Sequence, residues 1–223
     1  MKDPCKIMIL IRSAVKTGAF PGMDANGSAN WPSDPFHVLI STVLSQRTRD
    51  RNTANASASL FAKYNSPSEI ANAPEAHLRE LIRVAGFPTQ KAKAIKEISR
   101  RIHEERGDEV PNTVEALVAL PMVGRKTANC VLSYAFNIPA ICVDTHVHRI
   151  SNRIGLVRST DPEGTETQLM KIMPLDLWIE VNSLMVRFGQ TICLPRGPRC
   201  EICPVSSKCS YFKRVVSKRS KAH

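Results

Sequence analysis

The sequence predicts an all-α fold of two helical lobes flanking a shared cleft. Three observations carry this reading. Apolar residues recur at i, i+3, i+4 and i+7 in one segment after another, the period of a single buried helical face. Helix-start signals precede several of these segments. Alternation over four or more residues is scarce, and no glycine turn separates β-branched runs, so strands are not expected. There is no repeat with a period of about 20–50 residues. No Pro/Gly linker divides the chain.

Taken in order, Ile7-Met8-Ile9-Leu10-Ile11 followed by Arg12 reads as a buried helix face. It is far short of the ~20 apolar residues that span a bilayer, and it is not a signal segment. Asp34-Pro35 starts a helix whose core face is Phe36, Leu39, Ile40, Val43 and Leu44. Ser66-Pro67-Ser68-Glu69 is a capping box with proline at the first helical position. Lys91 to Glu105 sets Ile95, Ile98 and Ile102 on one side and charges on the other. Thr113 caps a helix from Val114 to Ala119, and another begins near Gly124 with Ala128, Val131, Leu132 and Ala135 inward. Val147, Ile150 and Ile154 mark a helix after Asp144-Thr145, and Pro174 opens one through Met185. The basic tail from Lys213 to His223 is expected to fray.

The 223 residues can bury a core in one or two domains. The net charge of +11 calls for an anionic partner, with nucleic acid first. No stretch suits a membrane span. Seven cysteines in a chain without a secretory signal point to a reducing, intracellular compartment (cytoplasm or nucleoid), where they are thiols or metal ligands. Cys5, Cys130 and Cys142 sit in apolar contexts and read as packing residues.

The other four, Cys193, Cys200, Cys203 and Cys209, follow the pattern C-x6-C-x2-C-x5-C. Four soft ligands so close together suit an iron–sulfur cluster or a structural zinc, and the spacing alone does not choose. The loop they enclose carries Arg196 and Arg199, two cations suited to phosphate.

Upstream, Leu120-Pro121-Met122-Val123-Gly124-Arg125-Lys126-Thr127-Ala128 joins two helical patterns. A short turn with glycine, opening a helix, aims backbone N–H groups and the positive end of the dipole at one point, which suits a phosphate without reading sequence. Lys126 falls in the first turn of the second helix, off its apolar face, as do positions 129 and 133. The dipole and partial burial would favour its neutral amine, a nucleophile able to form a Schiff base with a sugar. As a basic pair, Arg125 and Lys126 could equally bind phosphate. Asp144 ends an apolar stretch and precedes Thr145-His146, so it reads as a helix N-cap or a catalytic acid, and the two roles are compatible.

Hairpin, lysine, aspartate and four cysteines, in this order, resemble the endonuclease III family of helix-hairpin-helix DNA glycosylases, over nearly the whole chain. The resemblance implies a six-helix lobe with the hairpin (29–138), inserted into a second lobe of 1–28 and 139–223. It implies a [4Fe–4S] cluster on the four cysteines. Asp144 follows Lys126 by eighteen residues, the separation kept in the family. Lys126 is thus implied as the nucleophile and Asp144 as its electrostatic partner, with His146 beside it in second place. Two loops, Leu44 to Asp50 and Ala85 to Lys91, are implied to fill the gap left by an extruded base, with Gln46 and Phe87 as wedges. Gln46 stands one place earlier than the family glutamine, and for Phe87 the competing reading is a core aromatic.

The family hairpin has glycine where this chain has Met122. An ordinary backbone is therefore expected at Met122, with Gly124 alone essential and the Met122 side chain against DNA sugars or a helix. The implied activity is a bifunctional DNA glycosylase/AP lyase of base excision repair acting on oxidised pyrimidines. Its partner is double-stranded DNA carrying damaged bases or abasic sites, and a monomer is expected. The alternatives are a mismatch uracil/thymine glycosylase on the same scaffold and a non-enzymatic DNA-binding iron–sulfur redox sensor. Only an enzyme of the first kind needs the Lys126/Asp144 pair.

Overall fold

The computed structural model describes residues 2–15 and 34–219. Among these, every regular element is helical: α1 (Pro4–Val15), α2 (Pro35–Ser45), α3 (Asp50–Phe61), α4 (Pro67–Asn72), α5 (Glu75–Leu81), α6 (Pro88–Arg106), α7 (Val114–Val118), α8 (Arg125–Ala135), α9 (Thr145–Ile154), α10 (Pro162–Ile172), α11 (Trp178–Thr191) and α12 (Ser210–Arg219). None is long and apolar enough to cross a membrane. The chain divides into two compact units, Trp31–Ile138 and the combination of Met1–Asn30 with Pro139–His223. The boundary at 28/29 lies outside the described residues.

The unit Trp31–Ile138 holds α2 to α8 and is centred on α2. That helix buries Phe36, Val38, Leu39, Ile40, Val43 and Leu44 together with Ser41 and Thr42. A helix buried all round belongs in the middle of a core, and α3, α6 and α8 pack around it. The Thr42 hydroxyl stays satisfied by donating to the Val38 carbonyl at 2.7 Å. Asp34 caps α2 by accepting from the Phe36 N–H at 2.7 Å, ahead of Pro35. Ser66 and Glu69 form the expected capping box on α4, and Thr113 caps α7. α4 and α5 lie against α6, whose Ile95, Ile98 and Ile102 are buried.

The other unit packs α1 on α11 and α11 on α9. Its core joins Ile7, Met8 and Ile11 with Val147, Ile150, Ile154, Leu169, Val181, Met185 and Phe188. Arg12 pairs with Glu180 at 2.7 Å. The helix expected from Pro174 starts as a 3-10 turn over Leu175–Leu177, and α11 then runs to Thr191. Of the basic tail, 220–223 lies outside the described residues, and Lys213 to Arg219 is helical instead of frayed. The reason is that Tyr211 and Phe212, at the start of α12, pack on the core, and the Arg153 guanidinium lies 4.8 Å over the Tyr211 ring. Cys5 is a half-buried free thiol. Cys130 and Cys142 are buried as expected of packing residues, but each is disulfide-bonded, which corrects their reading as thiols.

Candidate active site and cysteine loop

The turn between α7 and α8 is anchored by the buried side chains of Leu120 and Val123, and the Val123 N–H donates to the Leu120 carbonyl at 3.1 Å. Two expectations for it are corrected. Met122 does not have an ordinary backbone: its φ is +59°, in the left-handed region that favours glycine. Gly124 is extended (φ −91°, ψ 175°), and a Cβ there would meet open space. No steric need of the chain itself requires glycine at 124. As the N-cap of α8 it supplies no side-chain acceptor to the first turn.

Arg125 and Lys126 are both exposed in that first turn, so the partial burial expected of Lys126 is absent. Asn129 and Ser133 are buried, against the expectation that they stay off the packed face. α8 is enclosed because α2 and α7 both pack on it, which leaves Lys126 as the outward group of the row 126, 129, 133.

Asp144 is the N-cap of α9. Its Oδ1 accepts from the His146 N–H at 2.9 Å and the Val147 N–H at 2.8 Å. Oδ2 accepts no hydrogen bond from the described residues. One oxygen thus fixes the carboxylate at the helix start. His146 bonds Arg149 Nη2 through Nδ1 at 3.2 Å. Both lie against Gly189 of α11, where a Cβ would fall 2.3 Å from that Nδ1. His146 therefore has the setting of a packed, hydrogen-bonded histidine.

The two loops expected to hold wedges come together. The Gln46 amide is not extended into solvent: its Nε2 donates to the Met122 carbonyl at 2.7 Å and Thr127 Oγ1 at 3.3 Å. The exposed tip of that loop is Arg47, with φ +49°. Phe87 is 52% exposed, which overturns the core-aromatic reading. It too is left-handed, with φ +57°, and the Arg47 guanidinium sits 5.8 Å from the centre of its ring.

Cys193, Cys200, Cys203 and Cys209 are free thiols lining one cavity with Arg153, Phe188 and Tyr211. Arg153 holds the loop, donating to the Leu194 carbonyl at 2.6 Å, the Pro195 carbonyl at 2.7 Å and Cys193 Sγ at 3.6 Å. Arg149 Nη2 donates to the Cys193 carbonyl at 3.0 Å. Burial pushes the Cys203 thiol up to about 11; a Val205 N–H opposes this, and the other three sulfurs add to it. Burial also pushes the Cys200 thiol up, and a cationic centre is what would reverse the cost of ionising these two thiols. Among the described residues no three His, Cys, Asp or Glu side chains are grouped as ligands of a single ion. Arg196 and Arg199 are exposed on the same loop, around Gly197 at φ +61°.

The profile of the HhH-GPD superfamily base excision DNA repair proteins matches residues 40–175. An endonuclease III of Thermotoga maritima is 53% identical over 182 residues, covering 82% of this chain and 85% of that one. The chain belongs to the endonuclease III family of HhH-GPD base excision DNA repair proteins. A solved endonuclease III, trapped as a covalent intermediate with DNA, matches with TM-score 0.84 and 33% identity, covering 97% of this chain and all of that one. A thermostable thymine-DNA glycosylase matches with TM-score 0.79 and 26% identity, over 95% and 97%.

In this endonuclease III family member, sequence reasoning missed Arg47, Arg149, Arg153 and Lys91. The first three look like ordinary surface cations. Lys91 lies in the first turn of α6 and is wholly buried, with Nζ donating to the Leu44 carbonyl at 2.7 Å, the Gln46 carbonyl at 2.6 Å and Thr48 Oγ1 at 2.8 Å. No spacing signal distinguishes such a lysine, because its acceptors come from another loop.

Proposed function

We propose that the protein is a bifunctional DNA glycosylase/AP lyase that removes oxidised pyrimidines. The observation that carries this is Lys126: an exposed lysine in the first turn of α8, two residues after the N-cap Gly124, at the helix end whose dipole suits a phosphate. The damaged nucleotide leaves the stack at a cost of about a few kcal/mol. The neutral Lys126 amine attacks C1′. The bond from C1′ to the base breaks, and the base departs with the electron pair and takes up a proton. Asp144, fixed through Oδ1, stabilises the positive charge building on the sugar and assists proton transfer. The C1′–O4′ bond of the resulting aminal then breaks, O4′ takes up a proton, and the protonated imine left at C1′ acidifies the C2′ proton. Loss of that proton expels the 3′ phosphate, and water then releases Lys126.

Cys193, Cys200, Cys203 and Cys209 are proposed to hold a [4Fe–4S] cluster. Four thiols lining one cavity supply the donor set that such a cluster takes. A bound cluster would take the four cysteine thiolates as ligands and so cross-link the loop. The residues around it present Arg196 and Arg199 to DNA phosphates.

Borohydride trapping tests the function. The protein should cross-link to a duplex containing thymine glycol or an abasic site. Lys126→Gln should bind the same duplex without trapping or cutting, because an amide forms no imine. Trapping by Lys126→Gln at the wild-type level would assign the nucleophile to another amine. About four irons per chain, with broad absorbance near ~400 nm, would support the cluster, whereas one zinc without iron would refute it.

A further inference from the structure

We propose that Lys91 is a positioning residue that clamps Arg47 and Phe87 into one composite wedge, which enters the DNA stack where a base is turned out. This rests on the function proposed above.

A buried ammonium is unfavourable unless each N–H is matched. Here three N–H groups meet three acceptors, the carbonyls of Leu44 and Gln46 and the hydroxyl of Thr48. The acceptors lie at and just beyond the C-terminal end of α2, where the helix dipole favours a cation. All three belong to the segment 44–48, while Lys91 sits in the first turn of α6, soon after Phe87 and Pro88. Its bonds therefore tie the segment bearing Arg47 to the segment bearing Phe87.

A second set of contacts acts in the same direction. Thr48 Oγ1 also accepts from the Gly86 N–H at 3.0 Å and donates to the Gln46 carbonyl at 3.1 Å. A Cβ at Gly86 would fall 2.5 Å from the Arg47 carbonyl oxygen, so any other residue would force the loops apart. The result is two adjacent tips, both non-glycine, both left-handed and both exposed. Strain at neighbouring exposed positions persists only where the surroundings over-determine it. A guanidinium over an aromatic ring makes a flat, cationic and apolar stack, the shape and charge that slip between bases. Burial pushes the Lys91 pKa down to about 8, so at neutral pH it keeps the three donors that the clamp uses.

The test compares two single-turnover rates in the full-length protein. One is excision of thymine glycol paired with adenine, which requires entry into the stack. The other is cleavage at a preformed abasic site in single-stranded DNA, which does not. Lys91→Met should lower the ratio of the two by about tenfold, since extrusion from a paired duplex carries the flipping cost. Arg47→Ala should lower it similarly, and adding Lys91→Met to Arg47→Ala should lower it no further. Equal loss of both rates in Lys91→Met would reduce Lys91 to a stability residue and overturn the proposal. If Lys91→Met fails to fold by circular dichroism, Thr48→Val removes one acceptor and must show the lowered ratio; an unchanged ratio overturns the proposal. A wild-type protein that cuts neither substrate would refute the proposed function instead.

Discussion

Gln46 Nε2 donates to the backbone carbonyl of Met122 at 2.7 Å, across seventy-six positions of sequence. The bond ties the end of α2 to the hairpin turn at its strained residue. Gln46→Ala should therefore lower stability by about 0.5–1.5 kcal/mol, read by urea denaturation. It should also weaken affinity for undamaged duplex DNA, while leaving the ratio of paired-lesion excision to abasic-site cleavage at the wild-type value. A large fall in that ratio would restore Gln46 as a wedge.

Met122 occupies a left-handed conformation that costs an L-residue about 1–2 kcal/mol. Its side chain is 39% exposed, so its removal sacrifices little packing. Met122→Gly should raise the melting temperature, by about 2–4 °C if the net gain is ~1 kcal/mol. A lower melting temperature would mean that the methionine side chain contributes more than the strain it carries.

Asp144 combines two roles that substitution can separate. Asparagine caps helices about as well as aspartate, whereas alanine removes a cap worth about 1 kcal/mol. Asp144→Asn should thus keep wild-type stability and duplex binding but lose about a hundredfold or more in base excision. Asp144→Ala should lose excision and stability together. Equal excision by Asp144→Asn and wild type would leave the residue with the cap alone.

Arg196 and Arg199 are exposed on the loop that the four cysteines bracket. Changing both to alanine should flatten the dependence of log affinity on log salt by about 2, near 0.9 for each phosphate that is no longer neutralised. The effect should be the same for damaged and undamaged duplexes, because binding to phosphate carries no sequence information. An unaltered slope would place the DNA on another surface.

Lys91 also makes a pH prediction. Its folded pKa, about 8, lies below the ordinary value of 10.5 because the side chain is buried. Between these values the unfolded chain holds a proton that the folded chain has released. Its contribution to stability therefore rises as pH increases from about 8 to 10.5. Denaturant melts of wild type and Lys91→Met across that range should diverge, with the wild type gaining relative to the variant. Parallel curves would mean that Lys91 keeps its ordinary pKa.

Helices whose signals are local can be read from the residues alone. Asp34, Ser66 with Glu69, Thr113 and Asp144 each cap a helix through atoms two or three residues away, so composition and spacing suffice to find them. The four cysteines and the hairpin are legible for the same reason. Features that depend on partners distant in sequence emerge only when the chain is packed. Lys91 reads as a solvated charge until the carbonyls of Leu44 and Gln46 surround it. Gln46 is implied as a wedge by resemblance, until the Met122 carbonyl is seen to accept its N–H. The chain from Lys213 to Arg219 continues α12 because the core offers Tyr211 and Phe212 a surface. The left-handed backbone of Arg47, Phe87 and Met122 follows from how their loops are held, and no residue type announces it. Local hydrogen bonds are encoded by neighbours, whereas burial and strain are properties of the packed chain.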